Sequence, residues 1–196
     1  EKLRFYDDYV KSGEHINCPR FTYFGEQFHE LSGKTWGIVG LGEIGARVAD
    51  IAKAFGCKVN YYSTSGKNNN DAYERVDFDT LLKTSDIISV HAPLTEQTKH
   101  LFTYDAFTKM KSSAYLINVG RGPIVKEGDL CRALNENLIA GAGLDVLEKE
   151  PMSADNPLLT IKDSRKLLIT PHIAWATTEA RNRLMKQVYK NIEENA

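Results

Sequence analysis

One short run constrains this chain more than any other. It is Gly40-Leu41-Gly42-Glu43-Ile44-Gly45, placed directly after the apolar stretch Trp36-Gly37-Ile38-Val39 and opening an amphipathic run that reaches Phe55. A G-x-G-x-x-G pattern alone carries little information. Set between an apolar strand and a helix, it specifies a strand–turn–helix in which each glycine has a task. Gly40 permits the tight turn, Gly42 leaves no Cβ between the backbone and a diphosphate, and Gly45 lets helix and strand pack closely. The first helical residues, Glu43 and Ile44, then stand where free N–H groups and the positive end of the helix dipole meet phosphate. The competing reading is a glycine-rich structural turn with no ligand.

The rest of the chain repeats the same rhythm. Thr35–Gly40, Lys58–Tyr62, Ile87–Val90, Ala114–Asn118, Gly141–Leu144 and Leu167–Ile169 read as buried strands. Glu43–Phe55, Phe78–Thr84, Glu127–Asn135 and Thr177–Glu193 read as helices. Val- and Ile-rich strands separated by helices indicate a parallel sheet covered on both faces. With right-handed crossovers this is an α/β fold, a Rossmann-type doubly wound parallel sheet in three layers. Residues 1–31 fall outside the rhythm and read as a lead-in helix and an extended segment. The stretch from Ser63 to Asp71 reads as a loop. The expectation is a single dinucleotide-binding domain over residues 1–196.

Composition removes several function classes. A net charge of -1 supplies no basic field for nucleic acid. No apolar run approaches the ~20 residues of a membrane span. Cys18, Cys57 and Cys131 are sparse and odd in number, without metal-like spacing, so neither a disulfide framework nor a metal site is expected. A cytoplasmic location follows as the expectation.

About 20 residues past the fingerprint, an NAD-binding chain usually carries an acid for the ribose diol. Here no acid occurs between Asp50 and Asp71, and the second strand runs into Ser63-Thr64-Ser65-Gly66-Lys67. Two readings are open. Ser63, Ser65 and Lys67 bond a 2′-phosphate, which admits NADP, or Ser63 bonds the ribose of NAD and Lys67 is merely solvated.

Three further strand ends carry polar side chains, and ligands of open α/β sheets gather at those ends. In Asn118-Val119-Gly120-Arg121-Gly122 the two glycines free the backbone and expose a guanidinium suited to a carboxylate. In Gly143-Leu144-Asp145 through Glu150-Pro151, Asp145 is placed to accept from a carboxamide, and Glu148 competes with Glu150 as the useful acid. Thr170-Pro171-His172 supplies an imidazole. Each alone reads as a solvated or structural residue. Together they hold what reduction of a 2-oxo acid needs, a cation for the carboxylate and an acid for the carbonyl oxygen.

With these motifs in hand, the chain resembles the cofactor domain of the D-isomer-specific 2-hydroxyacid dehydrogenases. The resemblance rests on Gly33 through Gly45, His91-Ala92-Pro93-Leu94, Asn118 through Gly122, Gly143 through Pro151, and Pro171-His172. It implies that Arg121 binds substrate carboxylate and carbonyl, that His172 moves the proton and that Glu150 holds His172. Pro93, Val119 and Asp145 join the cofactor contacts, Asp145 at the nicotinamide carboxamide. The cofactor is NAD or NADP, Ser63 standing where many relatives carry an acid. The continuation Ile173-Ala174-Trp175-Ala176 is similar to glycerate (hydroxypyruvate) dehydrogenases of the family, with Trp175 narrowing the pocket.

The resemblance also implies a substrate domain that this chain lacks, a small 2-oxo or 2-hydroxy acid as substrate, and a homodimer. Phe5, Tyr6, Tyr9, Phe21, Tyr23 and Phe24 are candidates for that surface or for packing within the domain. The isolated chain is expected to bind dinucleotide and turn over little. A non-catalytic dinucleotide sensor or corepressor on the same fold is the alternative. A short-chain dehydrogenase is disfavoured, because no Tyr-x-x-x-Lys pair follows a suitable helix.

Overall fold

The computed structural model describes residues 2–195. The chain divides into two compact units, Glu1–Ser32 and Gly33–Ala196. In the first, helix α1 (Leu3–Lys11) is followed by a short 3-10 turn at Glu14–Asn17. Its aromatic residues pack on one another: the Tyr9 and Tyr23 rings lie 4.3 Å apart and Phe5 stacks on Tyr9. Phe21 and Phe24 are left exposed.

The second unit is built on seven parallel strands. These are β1 (Thr35–Val39), β2 (Lys58–Tyr62), β3 (Glu74–Arg75), β4 (Ile87–Val90), β5 (Tyr115–Asn118), β6 (Gly141–Leu144) and β7 (Leu167–Ile169). Their order in the sheet is β3-β2-β1-β4-β5-β6-β7. The order reverses between β1 and β4, so the crevice at their carboxyl ends is the natural ligand site. Central β4 is buried at all four positions, as a parallel strand between two neighbours should be.

The helices are α2 (Glu43–Ala54), α3 (Phe78–Thr84), α4 (Tyr104–Lys109), α5 (Glu127–Asn135) and α6 (Thr178–Asn195). Strand alternation sends Val39 to one face and Ile38 to the other. Val39 joins the larger core, with Leu81, Ile88, Phe102, Leu116 and Leu130 under α3, α4 and α5. Ile38 joins Leu41, Ala49 and Tyr61 beneath α2. Beyond α2 on that second face, Tyr115 of β5 and Leu168 of β7 remain exposed. The apolar residues Leu184, Met185, Tyr189 and Ile192 of α6 are exposed as well.

The six expected strands and four expected helices all form, four of the ten with shifted ends. Gly40 leaves the strand because its φ is +89°, a left-handed turn rather than an extended residue. Ala114 belongs to the turn before β5, its N–H bonded to Lys111 O. β3 and α4 have no counterpart in the expected set. No helix among the described residues is long and apolar enough to cross a membrane.

Candidate active site

The fingerprint turn is shaped by close approach. A Cβ on Gly40 would lie 2.9 Å from the backbone of Ala92, and one on Gly45 would lie 2.2 Å from Gly40 O. A Cβ on Gly42 would meet nothing within 4 Å. Gly42 is also the N-cap of α2, and no side chain caps that helix end. The space and the uncapped N–H groups therefore fit a diphosphate. Glu43 and Ile44 stand exposed beside it, Ile44 at 69%.

Past β2 the loop from Ser63 folds back toward this turn. Ser63 is buried, and its Oγ accepts the Asn68 N–H at 3.4 Å. Thr64 is half-buried and Ser65 exposed, and Ser65 Oγ accepts the Lys67 N–H at 3.3 Å. Asn68 Nδ2 donates to Leu41 O at 3.2 Å, which stitches the loop to the fingerprint itself.

The next loops are keyed together along the sheet. His91 N–H bonds Val39 O at 2.8 Å, and Thr98 Oγ1 donates to Pro93 O at 2.7 Å, fixing the loop after β4. After β5, buried Asn118 shapes the turn: its Oδ1 accepts from Gly120 N at 3.1 Å and its Nδ2 donates to Arg121 O at 3.0 Å. Val119 is half-buried within that turn. The glycines beside Arg121 serve close packing rather than freedom. A Cβ on Gly122 would lie 1.8 Å from Leu147 O, so the Arg121 turn sits directly against the loop that carries Glu150. Arg121 is exposed and donates from Nη1 to Gly120 O at 2.7 Å, with no hydrogen bond or ion pair to Glu150 or His172.

After β6 and β7 the acids and the imidazole meet. Asp145 is buried, and its carboxylate accepts from Thr170 Oγ1 at 2.5 Å, Ile173 N at 2.9 Å and Ala174 N at 2.8 Å. Its carbonyl takes the His172 N–H at 2.8 Å. Burial pushes this carboxyl up, but the Thr170 hydroxyl and the two amides outweigh it and hold the group below the usual value. His172 is thereby fixed with φ +55°, a left-handed conformation uncommon for a side-chain-bearing residue. Its Nδ1 lies 2.8 Å from Glu150 Oε2, while Glu150 Oε1 accepts the Leu147 N–H at 2.8 Å. Partial burial raises the Glu150 carboxyl, and the bonds from His172 and Leu147 with the imidazole charge bring it below its ordinary value.

Glu148 is spent elsewhere. Its Oε1 accepts the Glu127 N–H at 2.7 Å and its own N–H bonds Glu127 Oε1 at 2.7 Å, a reciprocal clasp at the start of α5. Between the two acids the structure thus gives His172 to Glu150. Sequence reasoning missed Asn118 and Thr98 as supports, although buried polar residues at strand ends are the available signal. It also passed over the ring of His91. His91 Nε2 lies 2.9 Å from Ser89 Oγ, which accepts the Trp36 Nε1–H at 2.9 Å, and burial pushes the imidazole down to about 4.

Among the described residues no group of His, Cys, Asp and Glu is arranged to hold a metal ion. The arrangement instead places an uncapped helix end at the glycine turn, an imidazole–carboxylate pair after β6 and β7, and a guanidinium between them in chain order. Comparison with known proteins agrees. A family model described as D-isomer specific 2-hydroxyacid dehydrogenase, NAD binding domain, matches residues 1–174. Glyoxylate reductase of Aeropyrum pernix is 44% identical over 166 residues, 83% of this chain and 49% of the relative. Hydroxypyruvate reductase of Blautia hydrogenotrophica is 40% identical over 189 residues, 94% of this chain and 57% of the relative. The solved acyclic imino acid reductase (Bsp5) in complex with NADPH and D-Arg superimposes with a TM-score of 0.85 at 36% identity, covering 99% of this chain and 59% of that one. The chain spans about half the length of the curated relatives it matches. With the glycine turn and the His172–Glu150 pair in place, this agreement over most of the sequence makes the chain a member of the D-isomer-specific 2-hydroxyacid dehydrogenase family, carrying its NAD-binding domain.

Proposed function

We propose that the whole protein reduces a small 2-oxo acid, hydroxypyruvate or glyoxylate, to the 2-hydroxy acid with a nicotinamide dinucleotide. The observation that carries this is the 2.8 Å contact between His172 Nδ1 and Glu150 Oε2 in a loop keyed to the Arg121 turn. The names of the curated relatives support the substrate class.

Gly40, Gly42 and Gly45, with Glu43 and Ile44, would hold the diphosphate, and Ser63, Thr64 and Ser65 the adenosine side. Pro93, Val119 and Asp145 would flank the nicotinamide side. When bound, the dinucleotide supplies a hydride. Arg121 holds the substrate carboxylate through paired N–H donors. His172 gives its proton to the carbonyl oxygen from Nε2, because Nδ1 is committed to Glu150. Glu150 fixes that tautomer. Asp145 holds the backbone that aims the ring, and three of its acceptor sites are already used there. Trp175, half exposed beside this loop, would narrow the substrate side.

A second domain outside this chain would complete the pocket, consistent with the length of the relatives. Pairing of two copies fits the exposed apolar residues of α6. Three scattered cysteines fit a reducing, cytoplasmic setting. The test is the full-length protein assayed with hydroxypyruvate and glyoxylate, beside its His172→Ala variant. Turnover that depends on His172 supports the reading. Tight dinucleotide binding with no turnover on either acid overturns it in favour of a sensor.

A further inference from the structure

Arg75 lies on the two-residue strand β3, where the sequence offers no motif. Its Nη1 donates to Asn69 Oδ1 at 2.9 Å and its Nη2 to Gly66 O at 3.0 Å. Both acceptors are neutral, and no carboxylate among the described residues pairs with the guanidinium. Strand alternation puts the neighbouring Glu74 on the opposite face. Asp50 is engaged by the Tyr73 hydroxyl at 2.5 Å. A guanidinium has five N–H donors, so three remain after these two bonds.

The loop it grips is built rather than slack. Tyr61 OH donates to Asn68 O at 3.2 Å and accepts the Asn70 N–H at 3.0 Å. Asn68 also reaches the fingerprint at Leu41 O. The loop therefore borders the diphosphate seat on the side where the adenosine ribose must lie. It contains three hydroxyl residues, Lys67 and no acid from Ser63 to Asn70.

We infer that Arg75 and the loop from Ser63 to Asn70 form a site for the 2′-phosphate of a phosphorylated dinucleotide, with Arg75 as the residue that selects NADPH over NADH. The inference rests on the dinucleotide seat at Gly40–Gly45 and is independent of which substrate is reduced. Arg75 supplies uncompensated charge to the loop that begins at Ser63, the position at which an NAD-selective chain would carry a repelling carboxylate. The charge is preset, since its two neutral bonds hold the planar group in place before the phosphate arrives.

Calorimetric titration of this chain with NADPH and NADH tests it without any turnover. The unsubstituted chain should bind NADPH about tenfold more tightly than NADH, as one charge-assisted contact suggests. Arg75→Gln should remove that advantage, weakening NADPH about tenfold or more and moving NADH less than about twofold. Arg75→Lys should recover part of the NADPH affinity, which separates charge from loop shape. Preference of the unsubstituted chain for NADH overturns the inference, as does an equal loss of both nucleotides in Arg75→Gln with its melting temperature unchanged. Failure of either nucleotide to bind overturns the seat itself. Loss of 2-oxo acid reduction alone touches only the proposed activity.

Discussion

His172 Nδ1 meets Glu150 Oε2 at 2.8 Å although 22 residues of sequence separate them. The carboxylate can only accept, so it selects the Nδ1–H tautomer and leaves Nε2 as the nitrogen for the proton transfer proposed above. In the full-length enzyme His172→Ala should lower turnover about 10²–10⁴-fold, the usual worth of a general acid. Glu150→Gln should keep the fold but loosen the tautomer, since an amide presents N–H₂ as readily as its oxygen to Nδ1. Turnover should then fall roughly tenfold with KM little changed. An unmoved rate would return Glu150 to the status of a surface acid.

The two acids of the loop should separate cleanly. Glu148→Ala removes the side-chain half of the clasp with Glu127 at the start of α5, and about 1 kcal/mol of stability should go with it. Turnover should stay near normal, because Glu148 does not reach His172. Urea unfolding and steady-state rates of Glu148→Ala and Glu150→Gln, measured side by side, check both halves.

The fingerprint glycines should differ in kind. Gly45→Ala sets a methyl 2.2 Å from Gly40 O and should cost the fold, read as aggregation or a large drop in melting temperature. Gly42→Val meets no protein atom within 4 Å at its Cβ, so melting should change little. Dinucleotide affinity should nevertheless fall about tenfold or more, since the side chain occupies the phosphate space. Equal affinity for Gly42→Val and the parent would remove the seat from this turn.

Asp145 is the mechanical centre of the imidazole loop. Asp145→Asn places an amide N–H₂ against one of its donors and should cost about 1–3 kcal/mol, measured by chemical unfolding. Thr170→Val removes one of the three side-chain contacts and should cost about 1 kcal/mol.

Stability should fall on mild acidification. The ordinary histidine value is 6.5, and burial holds His91 at about 4 in the folded chain. Below 6.5 the unfolded chain takes up a proton that the folded one refuses, so stability drops as pH falls from 6.5 toward 4. The loss is bounded by about 3 kcal/mol, less what water screens at the ring edge. Asp145 and Glu150, both held low, add their own loss only further into acid. His91→Gln should flatten the first part of this slope in thermal melts between pH 7 and pH 4.5.

Much of this was legible in sequence because the signals were local. β1, the glycine turn and α2 follow one another without a gap, and β4 is a run of four apolar or small residues buried throughout. β3 was invisible because its two residues are Glu74 and Arg75, which are paired by β2 and not by any apolar pattern of their own. α4 has six residues, too few for a helical period to show. The choice between Glu148 and Glu150 had no local answer. It depends on which carboxylate the start of α5 consumes, a contact 21 residues away. The glycines around Arg121 were misread for the same reason, since Leu147 is what forbids a side chain at Gly122.

β7 has three residues and forms the outer edge of the sheet. Margins of that kind fray while a core is still closed. His172 follows this strand closely and is tethered to the interior mainly through Asp145. Warming should therefore silence the enzyme reversibly some degrees before the domain melts, and amide exchange at residues 170–174 should quicken in the same interval.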